Sequence, residues 1–172
     1  MLKYGIIRHS ESPWGAAVLL VPKKADGTRV AIDLRLLNDC TEKFAWPMPR
    51  IDDALASLGG NAYFTALDMA SGYWQVPIAE EDKHKTVFRC HMGQFEFNVM
   101  PFGIANGGAV FQRFMDTALG DMKFQCALCY IDDVLCYSPT FEQHINVDLP
   151  KIMANFRRAG FHFKASKCSF AK

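Results

Sequence analysis

The stretch "CALCYIDDVLCYS", residues 126–138, would read as one buried strand if Asp132 and Asp133 did not sit side by side in its middle. Moving a carboxylate out of water is costly, and two adjacent carboxylates repel each other. The run must therefore break there. The simplest solution is two apolar strands, "FQCALCYI" and "VLCYS", that reverse at the acidic pair. That places two negative charges at the end of a hairpin whose arms are buried. Such a chain needs a sheet with a core on at least one side.

Composition supplies that core. Half of the 172 residues are apolar and 22% are charged, which suits one globular domain. No run of eighteen or more apolar residues is present, so no membrane span is expected, and "MLKYGIIRHS" lacks the apolar centre of a signal peptide. Net charge is +1, so composition alone carries no nucleic-acid signal. Six cysteines are scattered along the chain. Cys126 and Cys129 form a CxxC, but residues three apart on a strand face opposite sides, and no second CxxC follows. Reduced thiols in an intracellular protein, cytoplasmic or nuclear and not secreted, fit best.

Patterning gives the element order. "AAVLLVP" (16–22) and "TRVAID" (28–33) read as a hairpin around "KKADG", and 49–58 as a short helix stopped at Gly59-Gly60. A strand over 62–70 follows, then a second hairpin through Met92-Gly93. Apolar residues at 110, 111, 114, 115, 118 and 119 mark a helix over 105–121. The acidic hairpin comes next. A helix over 141–160 is then broken or restarted at Pro150, with Asp148 as N-cap and Gly160 as its stop, before a last strand over 161–165. With the hairpin 86–99 set aside, the order from residue 62 is strand, helix, strand, strand, helix, strand. This is the split βαβ order, so the expected class is α+β with a ferredoxin-like sheet. Asp68, at the end of the strand over 62–70, then converges with Asp132 and Asp133 at one edge of the sheet.

Converging carboxylates are tolerable when a cation neutralises them, and hard oxygen donors select Mg²⁺, Mn²⁺ or Ca²⁺. Two such ions can hold the attacking and leaving oxygens of a phosphoryl transfer. From "IDD" alone a metal platform and a solvated hairpin tip are both open, because Asp is common at turns.

"YIDD" at 130–133 resembles the YxDD motif of reverse transcriptases, and other motifs follow in the family's order. "SPWGAAVLLVPKKADGTRVAIDLRLLN" (12–38) is similar to its fingers segment. "WPMPRIDDALASLGGNAYFTALDMASGYWQVPI" (46–78) resembles the PLPRIDD helix and motif A. "KTVFRCHMGQFEFNVMPFGIANGGAVFQRFMD" (85–116) looks like the stretch ending in motif B, and "SKCSF" (166–170) like the exit of motif D. PFG and SGY are the forms of gypsy-type long-terminal-repeat retrotransposons and retrovirus-like Pol polyproteins. A different metal-dependent phosphoryl transferase on a ferredoxin-like sheet would explain the three aspartates, but not "SPW", "DLRLLN" or Tyr73.

The resemblance implies an RNA-directed DNA polymerase that adds a dNTP to a primer on an RNA or DNA template, with two Mg²⁺ ions (or Mn²⁺). Residues 1–60 and 75–99 would be fingers-like, and 61–74 and 100–172 palm. Asp68 and Asp132 would be the main metal ligands and Asp133 would complete the cluster. Tyr73 would be the steric gate against a 2′-hydroxyl. Lys24 and Arg29 would grip the triphosphate. Phe102, Gly103 and Gln112 would lie beside the nucleotide, and Lys164 would be a proton donor to the leaving pyrophosphate. The family pattern continues into a primer-gripping hairpin, a thumb, ribonuclease H and integrase, the other Pol domains expected as partners. Primer–template affinity comes largely from phosphate contacts spread over a long surface, so fingers and palm alone are expected to be weak or inactive. Four departures stand out: the fingers hairpin lacks the usual tryptophan, Gly107-Gly108 replaces Ala-Pro in motif B, Ala70 replaces a basic residue and Trp74 a histidine. These departures also fit a non-catalytic remnant that serves as an interaction module.

Overall fold

The computed structural model describes residues 1–22 and 28–172, with the side chain of Arg29 outside the description. The chain folds as two compact units, residues 1–44 with 73–107 and residues 45–72 with 108–172.

The first unit is built on a five-stranded sheet. In chain order its strands are β1 (Ile7–His9), β2 (Ala16–Pro22), β3 (Thr28–Ile32), β5 (Phe88–Cys90) and β6 (Gly93–Phe97), arranged β1-β6-β5-β2-β3. Helices α1 (Arg35–Cys40) and α3 (Glu80–Lys83) lie in its connections. The hairpin expected at 16–33 forms with Val18 opposite Ile32 and Leu20 opposite Val30. Its tip, which includes Lys24, lies outside the described residues. Ile7, Phe88, Phe95 and Phe97 make the core of this unit, joined by Val18, Ile32 and Ile78. The short β1 has no alternating pattern of its own. It is recruited as an edge strand by β6, with Ile7 opposite Phe97.

The second unit holds a three-stranded antiparallel sheet. After α2 (Ile51–Leu58) come β4 (Tyr63–Asp68), α4 (Gly107–Leu119), β7 (Ala127–Tyr130) and β8 (Asp133–Ser138), in the order β4-β8-β7. Leu67, Phe111, Met115, Leu119, Val134, Ile152 and Phe156 are buried, as the helical and strand periods require. The helix after β8 differs from a plain α-helix. It comprises α5 (Phe141–Gln143), a π-helical turn over His144–Asp148, and α6 (Leu149–Arg158). Pro150 has no N–H to give to the preceding turn, and the wider π turn accommodates that gap. Asp148 stands at the N-cap position of α6, as expected, but its side chain makes no capping bond: the carboxylate turns inward to accept from Ser138 Oγ at 2.6 Å.

The last strand, expected over 161–165, does not form as a regular strand. Its segment still runs along the free edge of β4 through two isolated bridges, Met69 to Phe163 and Ala66 to Ser169. A 3₁₀ turn over Ala165–Lys167 interrupts the pairing between them. Further along, Phe64 and Lys172 exchange backbone hydrogen bonds at 2.9 Å. The split βαβ order therefore holds, with a broken fourth member.

A buried polar network ties these parts together. Ser138 Oγ–H donates to Asp148, so its oxygen accepts the Nδ1–H of His144 at 2.9 Å. Thr65 Oγ1 accepts the Ala171 N–H at 3.0 Å and gives its own proton to His144 Nε2 at 2.7 Å. This fixes His144 as the neutral Nδ1–H tautomer. Thr65 and His144 have no exposed surface, and Ser138 has almost none. Each polar atom has a partner, which burial demands. No helix among the described residues is long and apolar enough to cross a membrane.

Candidate active site

Asp68 is the last residue of β4 and Asp133 the first of β8, and the two are partners across the ladder. Asp133 is also opposite Tyr130 across the β7–β8 pairing. Asp132 lies in the turn just before it. The reversal therefore falls on Ile131 and Asp132, not on the two aspartates. One residue of register matters here, because it places Asp133 on the sheet beside Asp68 and leaves Asp132 at the tip.

The turn is held from below. Ile131 adopts φ 55°, a left-handed conformation unfavourable for a β-branched residue. Gln112, on α4, accepts the Ile131 N–H at 2.8 Å and donates to the Cys129 carbonyl at 3.0 Å. Its amide also donates to Asp116 at 2.9 Å, and Asp116 is fixed by Trp46 and Lys123. Gln112 is fully buried. Gln112 was expected beside the nucleotide; its amide is engaged within the protein, where it sets the backbone that carries Asp132. Its partner choice was invisible in the sequence, where it is one polar residue on an apolar helix face. Gly72 supports the same turn from another side. A Cβ on it would meet Phe111 Cζ at 2.7 Å and Asp132 Cβ at 3.4 Å.

The carboxylates feel one another. The Asp133 carboxyl is pushed above its ordinary value, first by loss of solvent and then by the charges on Asp132 and Asp68, against the pull of Lys167. Lys167 Nζ lies 2.9 and 3.2 Å from the two oxygens of Asp68. Its own pKa is raised, chiefly by that hydrogen bond. Lys164, the residue expected to offer a proton, touches Asp68 through the backbone: its N–H donates to the Asp68 carbonyl at 2.9 Å. Of the two lysines in this segment, Lys167 is the one whose ammonium reaches the cluster. The donor set is all oxygen and partly desolvated, and mutual repulsion raises its affinity for positive charge. It therefore fits a hard divalent cation. Among the described residues no three such side chains are already gathered around a single point.

The other expected residues belong to the first unit. Tyr73 and Phe102 stack, with ring centres 5.2 Å apart and planes 24° from parallel, and Trp74 tilts against Phe102 at 5.8 Å. Phe102 is 55% exposed, so it is a surface plate and not core. Gly103 has φ 90°, a conformation that suits glycine, and its carbonyl accepts from Asn38 Nδ2 at 2.8 Å. Gly107, at the start of α4, makes room: a Cβ there would lie 3.0 Å from Ile104 and 3.4 Å from the Tyr73 ring. Arg29 lies on β3 opposite Val21, and Lys24 falls outside the described residues.

Comparison with known proteins decides the family. Residues 21–172 match the reverse transcriptase (RNA-dependent DNA polymerase) family. The chain belongs to the reverse transcriptase family. Among its relatives are the transposon Tf2-3 polyprotein of Schizosaccharomyces pombe, 36% identical over 98% of this chain, and the retrovirus-related Pol polyprotein from transposon 297 of Drosophila melanogaster, 36% identical over 100% of it. This chain spans 13% and 17% of the length of those two polyproteins. Its fold matches the prototype foamy virus protease–reverse transcriptase, with a TM-score of 0.84 at 25% identity over 98% of this chain and 22% of that one. The foamy viral enzyme in complex with an RNA/DNA hybrid gives a TM-score of 0.87 at 22% identity, over 98% of this chain and 22% of that one. The α+β class and the long-terminal-repeat retrotransposon kinship read from the sequence both hold. Reverse transcriptases as a family use divalent metals.

Proposed function

We propose that this domain carries the nucleotidyl-transfer site of an RNA-directed DNA polymerase, extending a primer 3′-hydroxyl with dNTP on an RNA or DNA template. The observation that carries the reading is the register of Asp68 against Asp133 across the β4–β8 ladder, with Asp132 next in the turn. Asp68 and Asp132 would be the main ligands of two Mg²⁺ ions, with Asp133 completing the cluster. When bound, the ions supply Lewis-acid stabilisation of the attacking and leaving oxygens.

The remaining roles belong to the chain itself. Gln112 and Gly72 hold the Asp132 turn in place. The Tyr73 ring, braced by Phe102, presents a flat face that excludes a 2′-hydroxyl. Arg29 and Lys24 bring positive charge to the triphosphate, which lowers the cost of charge on the transferring phosphoryl group. Gly103 lets backbone approach the nucleotide closely. Residues 1–60 and 75–99 would act as fingers, and 61–74 and 100–172 as palm. The nucleic-acid partner is inferred from the foamy viral enzyme, described in complexes with double-stranded DNA and with an RNA/DNA hybrid. The transposon relatives are polyproteins, and thumb, ribonuclease H and integrase domains would be further partners in such a context.

Primer extension tests the reading. The chain is given a DNA primer on an RNA template, dNTPs and Mg²⁺ or Mn²⁺, beside an Asp132→Asn control. Extension that disappears in the control supports the assignment. Extension that persists undiminished in it would overturn it. Phosphate contacts over a long surface dominate such affinity, so micromolar protein and low salt are the appropriate conditions.

A further inference from the structure

The turn that breaks the fourth strand has a chemical consequence. Residues 161–172 run along β4 with pairing at Phe163 and again at Ser169. Between these points the chain rises into the 3₁₀ turn Ala165–Lys167, closed by the Lys167 N–H on the Lys164 carbonyl at 2.8 Å. The turn is anchored at the very end of β4, because the Lys164 N–H is bound to the Asp68 carbonyl. A lysine three residues after that anchor is brought back over the strand end, and its ammonium lies on both oxygens of the Asp68 carboxylate.

We propose that Lys167 is a tethered counter-ion for the carboxylate cluster, occupying Asp68 until a divalent cation displaces it and thereby setting the affinity for that cation. The proposal rests on the reading of Asp68 as a metal ligand. Three features support displacement. The ammonium spans both oxygens, so a metal cannot take Asp68 in the same manner while Lys167 stays. The pair is open to solvent, with the Lys167 side chain 56% exposed and that of Asp68 29%, so the lysine has water to move into. Lysine is a point charge on a flexible stem, with no planar fork to lock it to the carboxylate. The cluster would otherwise face its own repulsion whenever metal is scarce. Lys167 is thus a positioning residue that acts through Asp68.

Mn²⁺ binding to the 172-residue chain, followed by electron paramagnetic resonance, tests this without any turnover. Solvent-exposed ion pairs are weak, so removing the competitor is expected to tighten Mn²⁺ about three- to five-fold in Lys167→Met. Lys167→Arg, which keeps the charge and reach, should stay within about two-fold of the parent. Lys172→Met, which removes a charge from the same segment without touching Asp68, should also stay within about two-fold, because exposed charges are screened over short distances. Acetylation of Lys167, read by mass spectrometry, should rise when Mn²⁺ is added. Unchanged or weaker Mn²⁺ binding in Lys167→Met would overturn the proposal, as would equal tightening in Lys172→Met or unaltered acetylation. Asp68→Asn separates the two levels of inference. If it weakens Mn²⁺ binding while Lys167→Met has no effect, the metal site stands and the counter-ion role falls. If it leaves Mn²⁺ binding unchanged, both fall.

Discussion

The two hairpins that matter most here are built on opposite plans. The β2–β3 hairpin of the first unit exposes apolar side chains along its length, with Leu20 72% and Val30 58% accessible although they face each other across the ladder. The β7–β8 hairpin of the second unit buries Val134, Cys136, Tyr137 and Ser138 and is pinned at its turn by Gln112. The first commits only its base, Ala16, Val18 and Ile32, to the core and leaves its outer side chains uncommitted. The second commits most of its side chains and leaves Tyr130 and the aspartates exposed at its turn. Fixed carboxylates need a committed scaffold; a surface that meets another molecule does not.

The largest break in this comparison should come from the second unit's core. Phe156 on α6 is fully buried and meets Phe161 and Phe163 edge-on. Phe156→Ala should cost about 3–5 kcal/mol, measured by urea denaturation. Next comes Gly72→Val, which must displace the Phe111 ring and crowd Asp132. A loss of about 1–3 kcal/mol is expected, with weaker Mn²⁺ binding than in the parent. Unchanged stability would mean that the ring moves aside freely.

The buried histidine sharpens the contrast through pH. Burial lowers the His144 pKa below its ordinary 6.5, partly offset by the Asp148 charge. The unfolded chain therefore takes up the proton first as pH falls. This contribution to stability is complete above about pH 6.5 and is lost as pH drops from there towards the folded-state value. The parent should melt progressively lower below pH 6.5, and His144→Gln should flatten that dependence in a series of thermal melts. The smallest effect is expected in the first unit. Leu20→Thr should change stability by no more than about 0.5 kcal/mol, because its side chain is already in water.

The sequence showed the acidic site well and its support poorly. Asp68, Asp132 and Asp133 could be read because strand ends and turns leave a periodic trace, and an acidic pair inside an apolar run admits few explanations. Gln112 could not, because its role depends on which carbonyl and which N–H face α4 in three dimensions. Which of Lys164 and Lys167 reaches the cluster is hidden in the sequence for a similar reason. An unbroken strand over 161–165 would give Lys164 the better reach, and only the 3₁₀ turn reverses that order. The π turn at His144–Asp148 was likewise hidden, since Pro150 announces an interruption but not the form it takes. The short strand β1 left no periodic signal because its neighbour β6 supplies the order.

Ile131 carries one more consequence. A β-branched residue has few comfortable backbone alternatives near φ 55°, and two side chains hold it there. The peptide that bears Asp132 has therefore already given up its conformational freedom when the domain folds. On the proposed reading of Asp132 as a metal ligand, the backbone beneath its carboxylate is already fixed, and less entropy would be lost on binding. Ile131→Gly would relieve the strain and return that freedom, giving a fold at least as easy to form around a site that is slower to assemble.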